Sequence, residues 1–150
     1  MKNLDIKFQT RNTTIGILIG ENYTTPYDGI LTSSQISTVI ESLILQLPMP
    51  KLFADSTKKE IFANGHIVSA VRDFQRCSNI KLKNTTGFLL ETFQNKNWSE
   101  LENWTCNRIT SNSIIVETAY GVDNETIEKL KDMIFNVSAP KTFVVCDQIS

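Results

Sequence analysis

Leu47-Pro48-Met49-Pro50 is the tightest constraint in this sequence. Proline lacks a backbone N–H and pushes the residue before it out of helical geometry, so no helix runs through this link. Upstream, Ile36, Val39, Ile40, Leu43, Ile44 and Leu47 recur at helical spacing and form one apolar face. Thr32 followed by Gln35 is a capping-box start for that helix. Downstream, Lys51 to Asp55 and Glu60 to Ala63 read as two short strands around the polar turn Ser56-Thr57-Lys58-Lys59. Asn64-Gly65 ends the second strand and opens another amphipathic helix, with Ile67, Val68, Val71 and Phe74 as its buried face. Thr32 to Phe74 therefore reads helix, strand, strand, helix.

The flanks are built around this unit. Asn3 to Gln9 alternates apolar and polar residues, which predicts a half-buried strand. Thr13 to Ile19 reads as a second strand, ended by Gly20. Glu21 to Leu31 is an irregular loop punctuated by Pro26 and Gly29. After the second helix, Arg76 to Lys83 alternates as a short strand, and Phe88 to Phe93 has the pattern of a short helix. Ser99 with Glu102 forms a capping box for a helix to about Ile109, anchored by Trp98, Leu101, Trp104 and Ile109. Ser113 to Thr118 is a β-branched strand. Asp123 caps a last helix to about Phe135, with Ile127, Leu130, Ile134 and Phe135 facing inward. Pro140 then breaks the chain, and Thr142 to Cys146 reads as a closing strand. No repeat or linker divides the 150 residues, so residues 1–150 are expected to form one α+β domain with helices packed on a mixed sheet.

Composition narrows the function classes. Fifteen basic and sixteen acidic residues leave a net charge of -1, against the basic excess of a typical nucleic-acid binder. No run is long enough to cross a bilayer, and polar residues rather than an apolar signal core follow Met1-Lys2. The expectation is no membrane partner and a cytoplasmic setting. Cys77, Cys106 and Cys146 are odd in number and widely spaced, which is neither a disulfide framework nor a zinc pattern. Seven N-x-S/T sequons begin at Asn12, Asn22, Asn84, Asn97, Asn103, Asn124 and Asn136. Without a signal core they read as an Asn- and Thr-rich composition rather than a glycoprotein.

The segment Glu41 to Phe53, E-S-L-I-L-Q-L-P-M-P-K-L-F, resembles the signature "ES-hydrophobic-x-G-hydrophobic-P-hydrophobic-P". That signature belongs to the ParB/sulfiredoxin-like domain at the N-terminus of GmrSD-type restriction proteins. Ser69 to Phe74, S-A-V-R-D-F, resembles the end of the family's "DGQQR-L-[TS]-A-x-x-D-F" motif. The segments around Ile80 to Trp104 and Ser113 to Asn136 follow its later order, so the likeness spans roughly Tyr23 to Asn136. The resemblance implies a ParB/sulfiredoxin-like fold. It also implies nucleotide handling and cleavage by the Asp and Arg of DGQQR with an upstream F-Q-R arginine. This chain departs from the family there. The DGQQR positions fall on Ala63, Asn64, Gly65, His66 and Ile67, or one residue later with a deletion; F-Q-R falls on Pro26, Tyr27 and Asp28. Neither register supplies the acid or the arginine. The helical and nuclease portions that follow in the restriction proteins are not expected here.

The remaining chemistry is sparse. His66, the one histidine, follows Gly65 at a helix N-terminus, a place that disfavours its protonated form and fits a surface or capping role. That helix terminus is able in principle to bind an anion through backbone N–H groups. Arg72, Arg76, Lys81 and Lys83 read as a solvated helix edge and strand end rather than a basic patch. Nothing marks a metal cluster, a phosphate loop or a catalytic triad, and no cofactor is expected.

The expected function is thus a catalytically inactive binding or structural component with a protein partner. By analogy with solitary restriction-related domains it belongs in a phage or mobile element, in the cytoplasm or a virion. The alternatives are a nucleotide- or DNA-binding module using the His66 terminus, or an NTPase or nuclease whose catalytic groups have moved to Asp28, Glu41 and His66. The expected contact site is the Glu21–Leu31 loop, through Tyr23, Tyr27 and Asp28, with the turn of Asn64, Gly65 and His66.

Overall fold

The computed structural model describes residues 6–138, and the side chains of residues 6–134. The elements run β1 (Phe8–Thr14), α1 (Ile15–Gly20), α2 (Ser33–Ile44), β2 (Leu52–Asp55), β3 (Glu60–Ala63), α3 (His66–Arg76), α4 (Asn103–Thr110), β4 (Ser113–Ala119) and α5 (Asn124–Ser138). The four strands form one mixed sheet in the order β1-β4-β2-β3. β4 runs antiparallel to β1 and parallel to β2, while β2 and β3 form an antiparallel hairpin. The architecture is α+β, in one compact domain.

Alternation along the strands divides the sheet into two faces. Leu52, Ala54, Ile61, Ile114 and Val116 point into the main core, where α1, α2, α3 and α4 cover them. The other face carries Phe62 and Ala119, which pack under Ile127 and Leu130 of α5. Burying each of the leucine, isoleucine, valine and phenylalanine side chains among these contributes about 1.5–3 kcal/mol. Asp123 caps α5, accepting the Thr126 N–H at 2.8 Å. The expected roles of Phe135, Pro140 and Thr142 to Cys146 lie outside the residues or side chains described.

Helix α2 starts as its capping box predicts. Thr32 Oγ1 accepts the Gln35 N–H at 3.2 Å, and Gln35 Oε1 accepts the Thr32 N–H at 2.6 Å. Its end differs from the expectation. Gln46 takes a left-handed φ of 57°, the Leu47 N–H bonds the Ser42 carbonyl, and the Gln46 N–H bonds the Leu43 carbonyl. This Schellman motif stops the helix before Pro48, and Leu47 falls outside the apolar face, 42% exposed.

Other expectations need correction. β1 runs Phe8–Thr14; residues 3–5 of the predicted strand Asn3–Gln9 lie outside the described residues, and the predicted strand Thr13–Ile19 is mostly helix α1. Its apolar residues fit either period, and tertiary packing selects the helix. Ile15 and Leu18 are fully buried one turn apart while Ile17 is exposed. Gly16 lets α1 approach α4 closely, since a Cβ there would lie 3.2 Å from Thr110 Cβ. Residues 76–83 form no strand beyond the end of α3, and the predicted 88–93 helix is a single 3₁₀ turn at Glu91–Phe93. Ser99 caps nothing; Asn97 caps a 3₁₀ turn at Trp98–Glu100, and α4 begins only at Asn103. Trp104 is exposed at the start of α4, its ring touching Phe93, whereas Trp98 packs edge-on against Phe74.

Candidate functional site: a polar cleft between the 21–31 loop and α3

The loop from Glu21 to Leu31 is held against the sheet by its own backbone. The Thr24 N–H bonds the Lys59 carbonyl at 3.1 Å, and the Ile61 N–H bonds the Thr24 carbonyl at 2.8 Å. Thr24 thereby covers the outer edge of β3 through a parallel bridge to Glu60. The next residues form a tight turn. The Thr25 N–H donates to Asp28 Oδ2 at 3.1 Å, and the Tyr27 N–H donates to Thr25 Oγ1 at 3.0 Å.

Helix α3 receives this turn along one stripe. Gly65, Ser69, Arg72 and Arg76 recur at i, i+4, i+7 and i+11. Gly65 leaves room for the Thr25 side chain, and the Ser69 and Thr25 hydroxyls share a hydrogen bond. Ser69 Oγ also donates to Asp28 Oδ1 at 2.8 Å. Arg72 donates through Nη1 to Asp28 Oδ1 at 3.0 Å and through Nη2 to the Tyr23 carbonyl at 2.7 Å. Beside these contacts lies a cleft of about 460 Å³, walled by Asn22, Tyr23, Thr24, Asp28 and Gly29 on the loop and by Arg72, Asp73 and Arg76 on the helix.

The charges in the cleft answer one another. Burial raises the Asp73 carboxyl above its ordinary value and the nearby Asp28 charge raises it further, against opposing pulls from Arg76 and Arg72. Elsewhere on the loop, Arg11 forms a two-pronged pair with Glu21 at 2.6 and 2.8 Å, and Lys59 lies over the Tyr23 ring, 5.6 Å from its centroid. Two acids, Asp28 and Asp73, face two arginines, Arg72 and Arg76, in the cleft lining.

The structure brings the loop and the turn together. Tyr27 meets His66 edge to face with ring centroids 5.6 Å apart. Tyr23 lines the cleft and is half-buried. Asn64 takes a left-handed φ of 63° and turns its amide to the Lys51 carbonyl at 2.7 Å, so it shapes the turn rather than lining the cleft.

His66 is not a surface residue. It is only 4% exposed, and burial pushes its imidazole down to about 4. Arg72 is no solvated edge either, being 9% exposed and bound to the loop. The sequence reading missed Arg72 and Ser69 as site residues. The available signal was the stripe of Gly65, Ser69 and Arg72 beside the apolar face of α3, since an arginine buried there requires a partner.

Glu41, weighed as a displaced catalytic carboxylate, has a structural task instead. It is 0% exposed. Its oxygens accept the Ser37 hydroxyl at 2.6 Å, the N–H groups of Thr85 and Thr86 at 2.8 and 2.9 Å, and both threonine hydroxyls. Burial pushes this carboxyl up, but those hydrogen bonds outweigh it and hold it below the usual range. Asp28 is held by Thr25, Ser69 and Arg72 and Glu41 by Ser37, Thr85 and Thr86, so the two carboxylates share no hydrogen-bond partner. Among the described residues no group of three His, Cys, Asp or Glu side chains is arranged to hold a metal, and no helix is long and apolar enough to cross a membrane.

Fold and site together define a single α+β domain with an internally braced polar cleft. No protein-family model, curated protein or solved structure matches the chain.

Proposed function

We propose that this chain is a non-catalytic binding module, ParB/sulfiredoxin-like in type, which holds a protein partner at the cleft between the 21–31 loop and α3. The observation that carries this reading is the engagement of Asp28 and Arg72. Asp28 accepts hydrogen bonds from the Thr25 backbone, Ser69 and Arg72, and Arg72 bonds both Asp28 and the Tyr23 carbonyl. Such a pair braces a loop; phosphate chemistry needs cations aimed at charge that develops during reaction. The balanced charges fit a protein surface better than a phosphate backbone. Tyr23 and Tyr27 add amphipathic area with little side-chain entropy to lose on association. The setting we propose, by analogy alone, is a phage or mobile element.

Two measurements test this. Hydrolysis of Mg-ATP, Mg-GTP and Mg-CTP and nicking of supercoiled plasmid should stay at background. Turnover that Arg72→Lys removes while leaving the melting temperature unchanged would overturn the reading. The double variant Tyr23→Ala, Tyr27→Ala should stay folded and lose the proteins that co-purify with the wild type from its native host. Undiminished association by the folded variant removes this loop from the site.

A further inference from the structure

Phe88 and Leu90 are 77% and 67% exposed on either side of buried Leu89, and Trp104 is 55% exposed on the second residue of α4. The 3₁₀ turn at Glu91–Phe93 joins the two segments, because the Phe93 ring meets the Trp104 ring edge to face with centroids 5.9 Å apart. Large apolar side chains held this open to water mark a surface made for contact.

A carboxylate is fixed beside the exposed indole. Trp104 Nε1 donates to Glu102 Oε2 at 2.9 Å. Glu102 is the N-cap residue of α4, yet its side chain accepts no helix N–H. Among the described residues the indole N–H is the one group bonded to this carboxylate, and no cation lies over the indole face. The hydrogen bond sets ring and acid in one arrangement before anything binds.

That arrangement selects a cation. The face of an indole attracts positive charge through its quadrupole, and a carboxylate bonds a charged donor directly. A guanidinium does both at once: its plane stacks on the ring while the N–H groups at its edge reach the acid. An ammonium is a compact point charge and lacks that fork.

We propose that the Trp104–Glu102 pair receives an arginine side chain of a partner protein, stacked on the indole and bonded to the carboxylate, with apolar neighbours of that arginine covering Phe88 and Leu90. A tryptophan already held in place has little freedom to lose on association, which favours it as the anchor of the contact. None of these residues lines the Asp28–Arg72 cleft, so the two surfaces are tested separately.

The test is titration of the full chain with a capped leucine-arginine-leucine tripeptide, followed at the indole N–H signals by proton–nitrogen NMR. The control replaces arginine with citrulline, which keeps the shape and removes the charge. Trp98, packed on Phe74, supplies the second indole signal as an internal reference. The arginine peptide should shift the Trp104 signal saturably and leave Trp98 in place, and the citrulline peptide should bind about tenfold more weakly or worse. Glu102→Gln should keep the melting temperature, because this exposed side chain caps nothing, and should erase the difference between the peptides. Trp104→Ala, read at the Phe88 and Leu90 amides, should lose the arginine peptide. A Trp104 indole shielded from a soluble paramagnetic agent in the dilute free chain would show that the chain's own residues cover the patch. A Trp104 signal that moves with protein concentration would show a second copy there. Either result, an unmoved Trp104 signal or equal binding of the two peptides overturns the proposal.

Discussion

Gly65 and Thr25 approach so closely that a Cβ on Gly65 would lie 2.8 Å from Thr25 Cβ and 3.0 Å from the Ile61 carbonyl oxygen. The backbone at Gly65 is ordinary, with φ of −69°, so space rather than conformational freedom requires glycine here. Gly65→Ala should destabilise the fold by about 1–3 kcal/mol, the range for overpacking a tight contact. Urea midpoints read this directly. An unchanged midpoint would mean that the loop moves aside freely and does not brace α3.

Glu41 holds the Thr85-Thr86 turn through a carboxylate whose neighbours are all donors. Glutamine would set N–H against N–H, so Glu41→Gln should cost about 2–3 kcal/mol. The folded carboxyl titrates below its unfolded value of 4.5, so its contribution is present above that pH and lost as pH falls through the folded value. Denaturation of Glu41→Gln at pH 7 and pH 3 should show the difference from wild type shrinking in acid.

His66 acts in a higher window. Its imidazole titrates at about 4 when folded and 6.5 when unfolded. Between those values the unfolded chain binds a proton that the folded chain does not, so stability falls as pH drops from 6.5 towards 4. The loss is about 3 kcal/mol, at about 1.4 kcal/mol per pH decade. In His66→Gln the stability profile across this window should flatten. An equally steep profile would assign the acid sensitivity to other groups.

Gln46 occupies the left-handed position of the α2 stop with φ of 57°. Glycine adopts that geometry without a Cβ penalty, so Gln46→Gly should stabilise by about 0.5–1 kcal/mol despite loosening the unfolded chain. A lower melting temperature in Gln46→Gly would show that the glutamine side chain contributes packing at the turn.

Much of the framework was legible before folding. Local rules of spacing and capping set it: the apolar periods of α2 and α3, the Thr32–Gln35 box, the β2–β3 hairpin, and the cap at Asp123 all act within a few residues of chain. The failures share a cause. Residues 13–19 satisfy both the strand and the helix period, and the packing of Gly16 on Thr110 selected the helix. His66 reads as a surface or capping residue, and Glu41 as a catalytic group only in one alternative, because sequence shows a side chain's chemistry but not what surrounds it. Their burial comes from elements 44 residues away and more, as with Thr85 on Glu41, or from the loop at Tyr27. Sequence alone thus determined the element types around the Pro48–Pro50 link. The tertiary structure decided the site, because pairing Arg72 with Asp28 across 44 positions depends on how α3 and the loop dock, and no local pattern encodes that distance.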